Sequence, residues 1–160
     1  MRRFFLAFSG LLFLMLSSCD KSKIFDTNYE FPYEKWNVSN TPEFNFDIKN
    51  PEEKYNLSIN VRNGIDYPYQ NLYVNYQLQD SEGKVLKDTL ENILLFDSKT
   101  GKPEGLGYGD VYDLEKPILN EYKFNNAGSF KVVLKQMMRV DDLEGITSVG
   151  LKVTQSGIEK

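Results

Sequence analysis

The sequence predicts an all-β fold, an antiparallel β-sandwich of immunoglobulin-like or jelly-roll-like kind, and three observations predict it. From Phe44 onward, apolar and polar residues alternate in one short run after another, which is the period of a half-buried strand. Gly, Pro, Asn and Asp clusters separate the runs, supplying the backbone freedom that tight turns need. Nothing after Cys19 keeps a helical period through three turns. Short alternating strands between turns are what two facing sheets require.

In chain order, residues 1–18 read as a signal peptide. Arg2 and Arg3 give a positive start, Phe4 to Leu16 is an apolar run, and Ser17-Ser18 lead to Cys19. The apolar run is short of the roughly 20 residues a spanning helix needs. Leu16-Ser17-Ser18-Cys19 resembles the bacterial lipoprotein processing motif, in which the cysteine thiol becomes the lipid acceptor. The resemblance implies a diacylglycerol thioether on Cys19 as the new amino terminus. Residues 19–42 are expected to be the lipidated terminus, a short tether and an aromatic lead-in. That lead-in holds Phe25, Tyr29, Phe31, Tyr33 and Trp36. Pro32 disfavours a helix there, and the segment reads as an extended arm whose rings pack onto the sandwich or, alternatively, as a partner-docking or membrane-edge surface.

Residues 43–156 are the expected sandwich. Phe44, Phe46 and Ile48 form one apolar face, and Tyr55, Leu57, Ile59 and Val61 a second, with Asn63-Gly64 suited to a turn. Leu72, Val74, Tyr76 and Leu78 form a third face, turned by Asp80-Ser81-Glu82-Gly83 into Lys84 to Leu90. Ile93 to Phe96 either continues a bent strand or forms an edge strand. Ser98 to Pro117, rich in Gly and Pro, reads as a long surface connection around a short strand from Leu106 to Tyr112. Leu119 to Phe124, Phe130 to Met138 and Ile146 to Val153 complete the strands. The expected shared core is Leu57, Ile59, Val61, Val74, Leu134 and Leu151. Residues 157–160 are an expected polar tail.

Composition narrows the chemistry. The chain has 160 residues, one cysteine and no histidine, which removes the imidazole base and the commonest transition-metal ligand. Its formal charge of −4, without a concentrated basic patch, argues against nucleic acid as a partner. Asp110 with Asp113, or Asp141 with Glu144, are the conceivable carboxylate pairs, but both lie in loop sequence and read more simply as solvated charges. Those acids with Asp142 could supply hard oxygens to calcium, yet their spacing is not that of an EF-hand. Gly105, Gly107 and Gly109 lack the strand-to-helix context of a nucleotide loop. The expectation is therefore no catalytic residue, no cofactor and no metal. Candidate partner contacts are Trp36, Tyr67, Tyr69, Tyr108 and Tyr112, since these rings combine apolar area with a polar handle. Arg62 and Arg139 are expected near strand ends, where Asp66, Asp141 or Asp142 could pair with them.

Several segments together resemble the gliding-motility lipoprotein family GldH of Bacteroidetes. They are Tyr55-Asn56-Leu57 through Val61-Arg62-Asn63, Tyr67-Pro68-Tyr69-Gln70-Asn71-Leu72, Gly105-Leu106-Gly107-Tyr108-Gly109-Asp110 and Gln136-Met137-Met138-Arg139. Leu143-Glu144-Gly145-Ile146 and Val149-Gly150-Leu151 extend the likeness nearly to the carboxyl terminus. The resemblance implies a non-enzymatic cell-envelope lipoprotein that supports gliding and the associated type IX secretion through contacts with other envelope proteins. It further implies anchoring by acylated Cys19, with the outer membrane facing the periplasm as the expected location. Lys21-Ser22-Lys23 lacks the acidic cluster associated with surface-exported lipoproteins of these bacteria. The alternative is a carbohydrate- or peptidoglycan-binding envelope lipoprotein, which would need coplanar exposed rings.

Overall fold

The computed structural model describes residues 22–157, and the leader and Cys19 lie outside them. The fold is an all-β sandwich of antiparallel sheets. Its strands are β1 (Lys23–Glu30), β2 (Lys35–Asn37), β3 (Glu43–Ile48), β4 (Lys54–Gly64), β5 (Asn71–Asp80) and β6 (Val85–Leu94). They continue as β7 (Leu106–Tyr108), β8 (Val111–Lys123), β9 (Gly128–Gln136), β10 (Asp142–Glu144) and β11 (Ile146–Gln155). One sheet has the order β1-β11-β4-β8-β7, the facing sheet β3-β9-β5-β6, and β10 with β2 forms a small ribbon.

The alternation read from the sequence is the one that folding uses. Phe44, Phe46, Ile48, Leu72, Val74, Tyr76, Leu78, Phe130, Val132 and Leu134 turn inward from one sheet. They meet Tyr55, Leu57, Ile59, Val61, Val149, Leu151 and Val153 from the other. Burial of this apolar area is the main favourable term, at about 25 cal/mol per Å² removed from water. The expected shared core of Leu57, Ile59, Val61, Val74, Leu134 and Leu151 is buried throughout. An aromatic cluster closes one end, where Phe124 packs 4.4 Å from Phe130 and 5.6 Å from Tyr55, centroid to centroid. The Asp80–Gly83 turn forms as expected. The Asp80 carboxylate accepts from the backbone N–H of Glu82 and of Lys84 at 3.0 Å each, and Gly83 has φ 81°.

Three expectations are corrected and one is extended. The aromatic lead-in packs onto the sandwich as an extended arm and also joins its sheets, since β1 pairs with β11 from Lys23 to Glu30 and β2 pairs with β10 through Trp36 opposite Leu143. As an edge strand with only Phe25 turned toward the core, β1 is held by ladder hydrogen bonds and carries no apolar period. Asn63-Gly64 does not turn the chain. Both residues finish β4, and the bend follows at Ile65-Asp66. The long connection ends well before Pro117, since β8 begins at Val111 and runs through that proline. Pro117 is tolerated because β7 covers β8 only as far as Asp113, and the β4–β8 register shifts beside it between Leu57 and Ser58. Last, Arg62 pairs with Asp113 rather than with any acid suggested by sequence proximity.

Strand direction defines two ends of the sandwich. β1, β4, β6 and β9 run from a base to a far end, and their antiparallel partners β11, β8, β5 and β3 return. The base holds the start of β1 and the turns at 49–53, 81–84 and 124–127. The far end holds the loops 31–42, 64–70, 95–110 and 137–145. Eight residues of β1 at about 3.3 Å each separate these ends by roughly 25 Å.

Gly145 locks the far-end loops together. Its N–H donates to the Glu34 carbonyl at 2.9 Å and its carbonyl accepts from the Gly64 N–H at 2.9 Å. It sits at φ 78°, and a Cβ there would stand 2.8 Å from the Tyr67 Cα. Gly145→Ala is therefore expected to destabilise the fold by at least about 2 kcal/mol, from left-handed strain plus a clash that backbone cannot easily relieve. A lowered urea midpoint at unchanged denaturant slope checks this.

Candidate functional site

The five expected contact rings separate into two groups. Trp36 is buried completely, stacked on Phe31 at 5.1 Å with its indole N–H donating to the Asn40 carbonyl at 2.8 Å. Tyr67 is buried as well, 6.5 Å from Phe96 in a parallel stack, and its hydroxyl donates to the Asn71 carbonyl at 2.9 Å. Burial pushes the Tyr67 hydroxyl above its ordinary pKa, with neighbouring Tyr69 adding to the rise. Neither ring offers surface to a partner, so Trp36 and Tyr67 are corrected to structural residues that close the far end of the core. Both are amphipathic rings whose single polar group found a backbone carbonyl, which makes full burial affordable.

Tyr69 and Tyr108 are exposed, Tyr108 to 73 %. Tyr112 is half-buried in β8, and a Cβ on Gly107 would come within 2.8 Å of its ring. This explains the glycine-rich motif without a phosphate. Gly105 passes over β8 so closely that a Cβ would be 2.6 Å from the Asp113 carbonyl oxygen, Gly107 lies against Tyr112, and Gly109 at φ 68° turns the β7–β8 hairpin. The hairpin docks onto the β4–β5 loop through the Ile65 N–H, which donates to the Asp110 carbonyl at 2.8 Å. The two segments singled out in the sequence, around Tyr67 to Leu72 and Gly105 to Tyr112, thus adjoin in space.

Other exposed apolar side chains gather at the same end. Tyr33 stands 92 % exposed at φ 58°, Leu106 is 74 % exposed, and Val38, Ile65 and Met137 are exposed too. Leu90, Leu94 and Tyr73 continue the patch down the outer face of β5 and β6. At the base, Ile24 and Val85 are the only exposed large apolar side chains among the described residues. Tyr33 belonged to the noted aromatic lead-in, but its neighbours Phe31 and Trp36 are buried, and residue type does not distinguish them. Ile65, Leu106 and Met137 carried no signal beyond being apolar residues in loop sequence.

The charged candidates do not converge. Arg62 forks onto Asp113, with Nε and Nη2 donating at 2.7 and 3.0 Å, and that hydrogen bonding raises the guanidinium pKa against opposing desolvation. This pair lies in a groove of about 410 Å³ with Asp26, Asn60 and Glu115 on the outer face of the larger sheet. Glu144 holds Lys35 at 2.8 Å, and Asp142 accepts from the Asn37 amide at 2.6 Å. Among the described residues no three His, Cys, Asp or Glu side chains are grouped to hold a metal ion.

This fold and surface define a class: an antiparallel β-sandwich that displays apolar side chains from four loops at one end. Residues 23–153 match the family model described as GldH lipoprotein, and the chain belongs to that family. It is 35 % identical over 161 residues to the gliding motility lipoprotein GldH homolog of Christiangramia forsetii, covering 94 % of this chain and 97 % of the relative. It is 32 % identical over 157 residues to gliding motility lipoprotein GldH of Flavobacterium johnsoniae, covering 92 % and 96 % of the two chains.

Proposed function

We propose that this protein is a lipid-anchored component of the cell envelope that supports gliding motility and the associated type IX secretion by contacting other envelope proteins. The observation that carries this reading is the uneven distribution of exposed apolar surface. It collects at the end of the sandwich remote from the start of β1, and Cys19 precedes that start by four residues. An acyl anchor there would hold the base near a bilayer and leave the far-end loops facing away from it. Exposed apolar patches are costly in water and are kept where something covers them. The relatives' names supply the gliding context, and the outer membrane facing the periplasm is the proposed location. No chemistry is assigned to the site.

A photocrosslinking residue at Tyr108 or Tyr69 in intact cells tests this, with Val85 at the base as comparison. Discrete protein bands from the far-end positions and none from Val85 are expected. Equal bands from all three positions, or sugar-dependent capture alone, would defeat the contact reading.

A further inference from the structure

On the outer face of the smaller sheet, at its far end, Tyr69, Tyr73, Leu90, Met137 and Met138 line an open groove of about 450 Å³ with Arg139 at its side. The groove carries no carboxylate. Grooves elsewhere on the surface contain Asp26, Asp113 and Glu115, or Asp97, or Asp47. Of the two arginines among the described residues, Arg62 is spent on Asp113, whereas Arg139 is exposed and makes no ion pair with any described residue. The acids that follow it in sequence do not line the groove. Asp142 accepts from Asn37, and the Asp141 segment is held by the Val38 N–H donating to its carbonyl at 2.7 Å.

The loop that presents these groups is fixed in advance. Gln136 is 1 % exposed, yet both ends of its amide are used: Nε2 donates to the Val140 carbonyl at 2.9 Å and Oε1 accepts from the Met138 N–H at 2.8 Å. The Met137 N–H donates to the Tyr73 carbonyl at 2.8 Å, and the Met138 sulfur accepts from the Tyr73 N–H at 3.4 Å. A buried amide therefore braces residues 137–140 so that Met137, 53 % exposed, and Arg139 stand clear. Bracing lowers the ordering cost of binding. Methionines adapt to varied apolar shapes, tyrosines supply rigid anchors, and a lone guanidinium selects a carboxylate through a charge-assisted fork.

We infer that this groove docks a protein segment in which an apolar side chain is flanked by a carboxylate, from aspartate, glutamate or a chain terminus. The inference rests on the contact reading above and adds the chemistry of the partner. The test uses the mature lipid-anchored chain in nanodiscs with carbon-13 methionine methyls; Met1 and Met15 belong to the proposed signal peptide, so Met137 and Met138 are the two probes. Met137→Leu and Met138→Leu assign the groove signals. The probes are three synthetic peptides, each with a Leu-Phe pair flanked by glutamates, by glutamines or by lysines, together with oleate. The glutamate peptide is expected to shift both groove methyls and to bind about tenfold more tightly than the glutamine peptide. That preference should disappear in Arg139→Gln and shrink with added salt. Equal shifts from the lysine peptide, shifts from oleate with the peptides silent, or shifts that follow protein concentration would overturn it. The last two outcomes would make the groove a lipid pocket or a self-association face. Far-end crosslinks that persist while the peptides stay silent would remove this inference and leave the contact reading standing.

Discussion

Trp36→Ala is expected to lower the unfolding free energy by about 3–5 kcal/mol, the usual range for truncating a fully buried large aromatic. That is a large share of the roughly 5–15 kcal/mol available to a domain of this size. The loss has three sources. The ring is completely buried and stacked on Phe31. Its indole N–H satisfies the Asn40 carbonyl, which the variant leaves without that donor. Its strand is only three residues long and pairs with an equally short one, so side-chain packing must hold the ribbon in place. Because Trp36 is the sole tryptophan, urea unfolding of the variant is followed by circular dichroism. Tyr108→Ala is the contrast. It should leave the midpoint within the roughly 0.5 kcal/mol expected of an exposed site, while weakening far-end crosslinks.

Cys19→Ser is expected to move the protein from the membrane fraction to the soluble fraction. Serine lacks the thiol on which the proposed diacylglycerol thioether would form. Buried acyl chains contribute about 0.8 kcal/mol per CH₂, and firm anchoring requires more than one chain. Labelling with a radioactive fatty acid checks the site directly: label retained in the serine variant would reject it. The sandwich itself should fold unchanged, since its described hydrogen bonds begin with Ser22, whose carbonyl accepts from the Gln155 N–H at 2.7 Å. Loss of membrane association with an intact urea transition would separate anchoring from folding.

The legible strands were those buried on one face. Phe44-Asn45-Phe46 and Leu72 through Leu78 alternate because every second side chain enters the core. β1 gave no such period, because an edge strand exposed on most of its length answers to hydrogen-bond ladders rather than to burial. Pro117 read as a terminator, although a strand that has lost its outer neighbour and bulges against its inner one has no use for that N–H. The contact surface was half legible. Its two segments stood out as tyrosine- and glycine-rich stretches, yet an aromatic ring looks the same in sequence whether it closes a core, like Trp36 and Tyr67, or faces water, like Tyr108.

What the sequence determined unaided is therefore what depends on local pattern: an all-β body, its main inward faces, the family, and an expectation of a lipid-bearing cysteine ahead of the first strand. Tertiary structure decided what depends on residues far apart in the chain. It chose Asp113 as the partner of Arg62, 51 positions away. It buried Trp36 against Leu143 from the opposite strand of the ribbon, and it left Arg139 beside two tyrosines and two methionines with no acid in the groove. Alternation records which side of a strand faces water. It carries no information about which distant strand lies alongside, and the surface chemistry of this protein is set by those pairings.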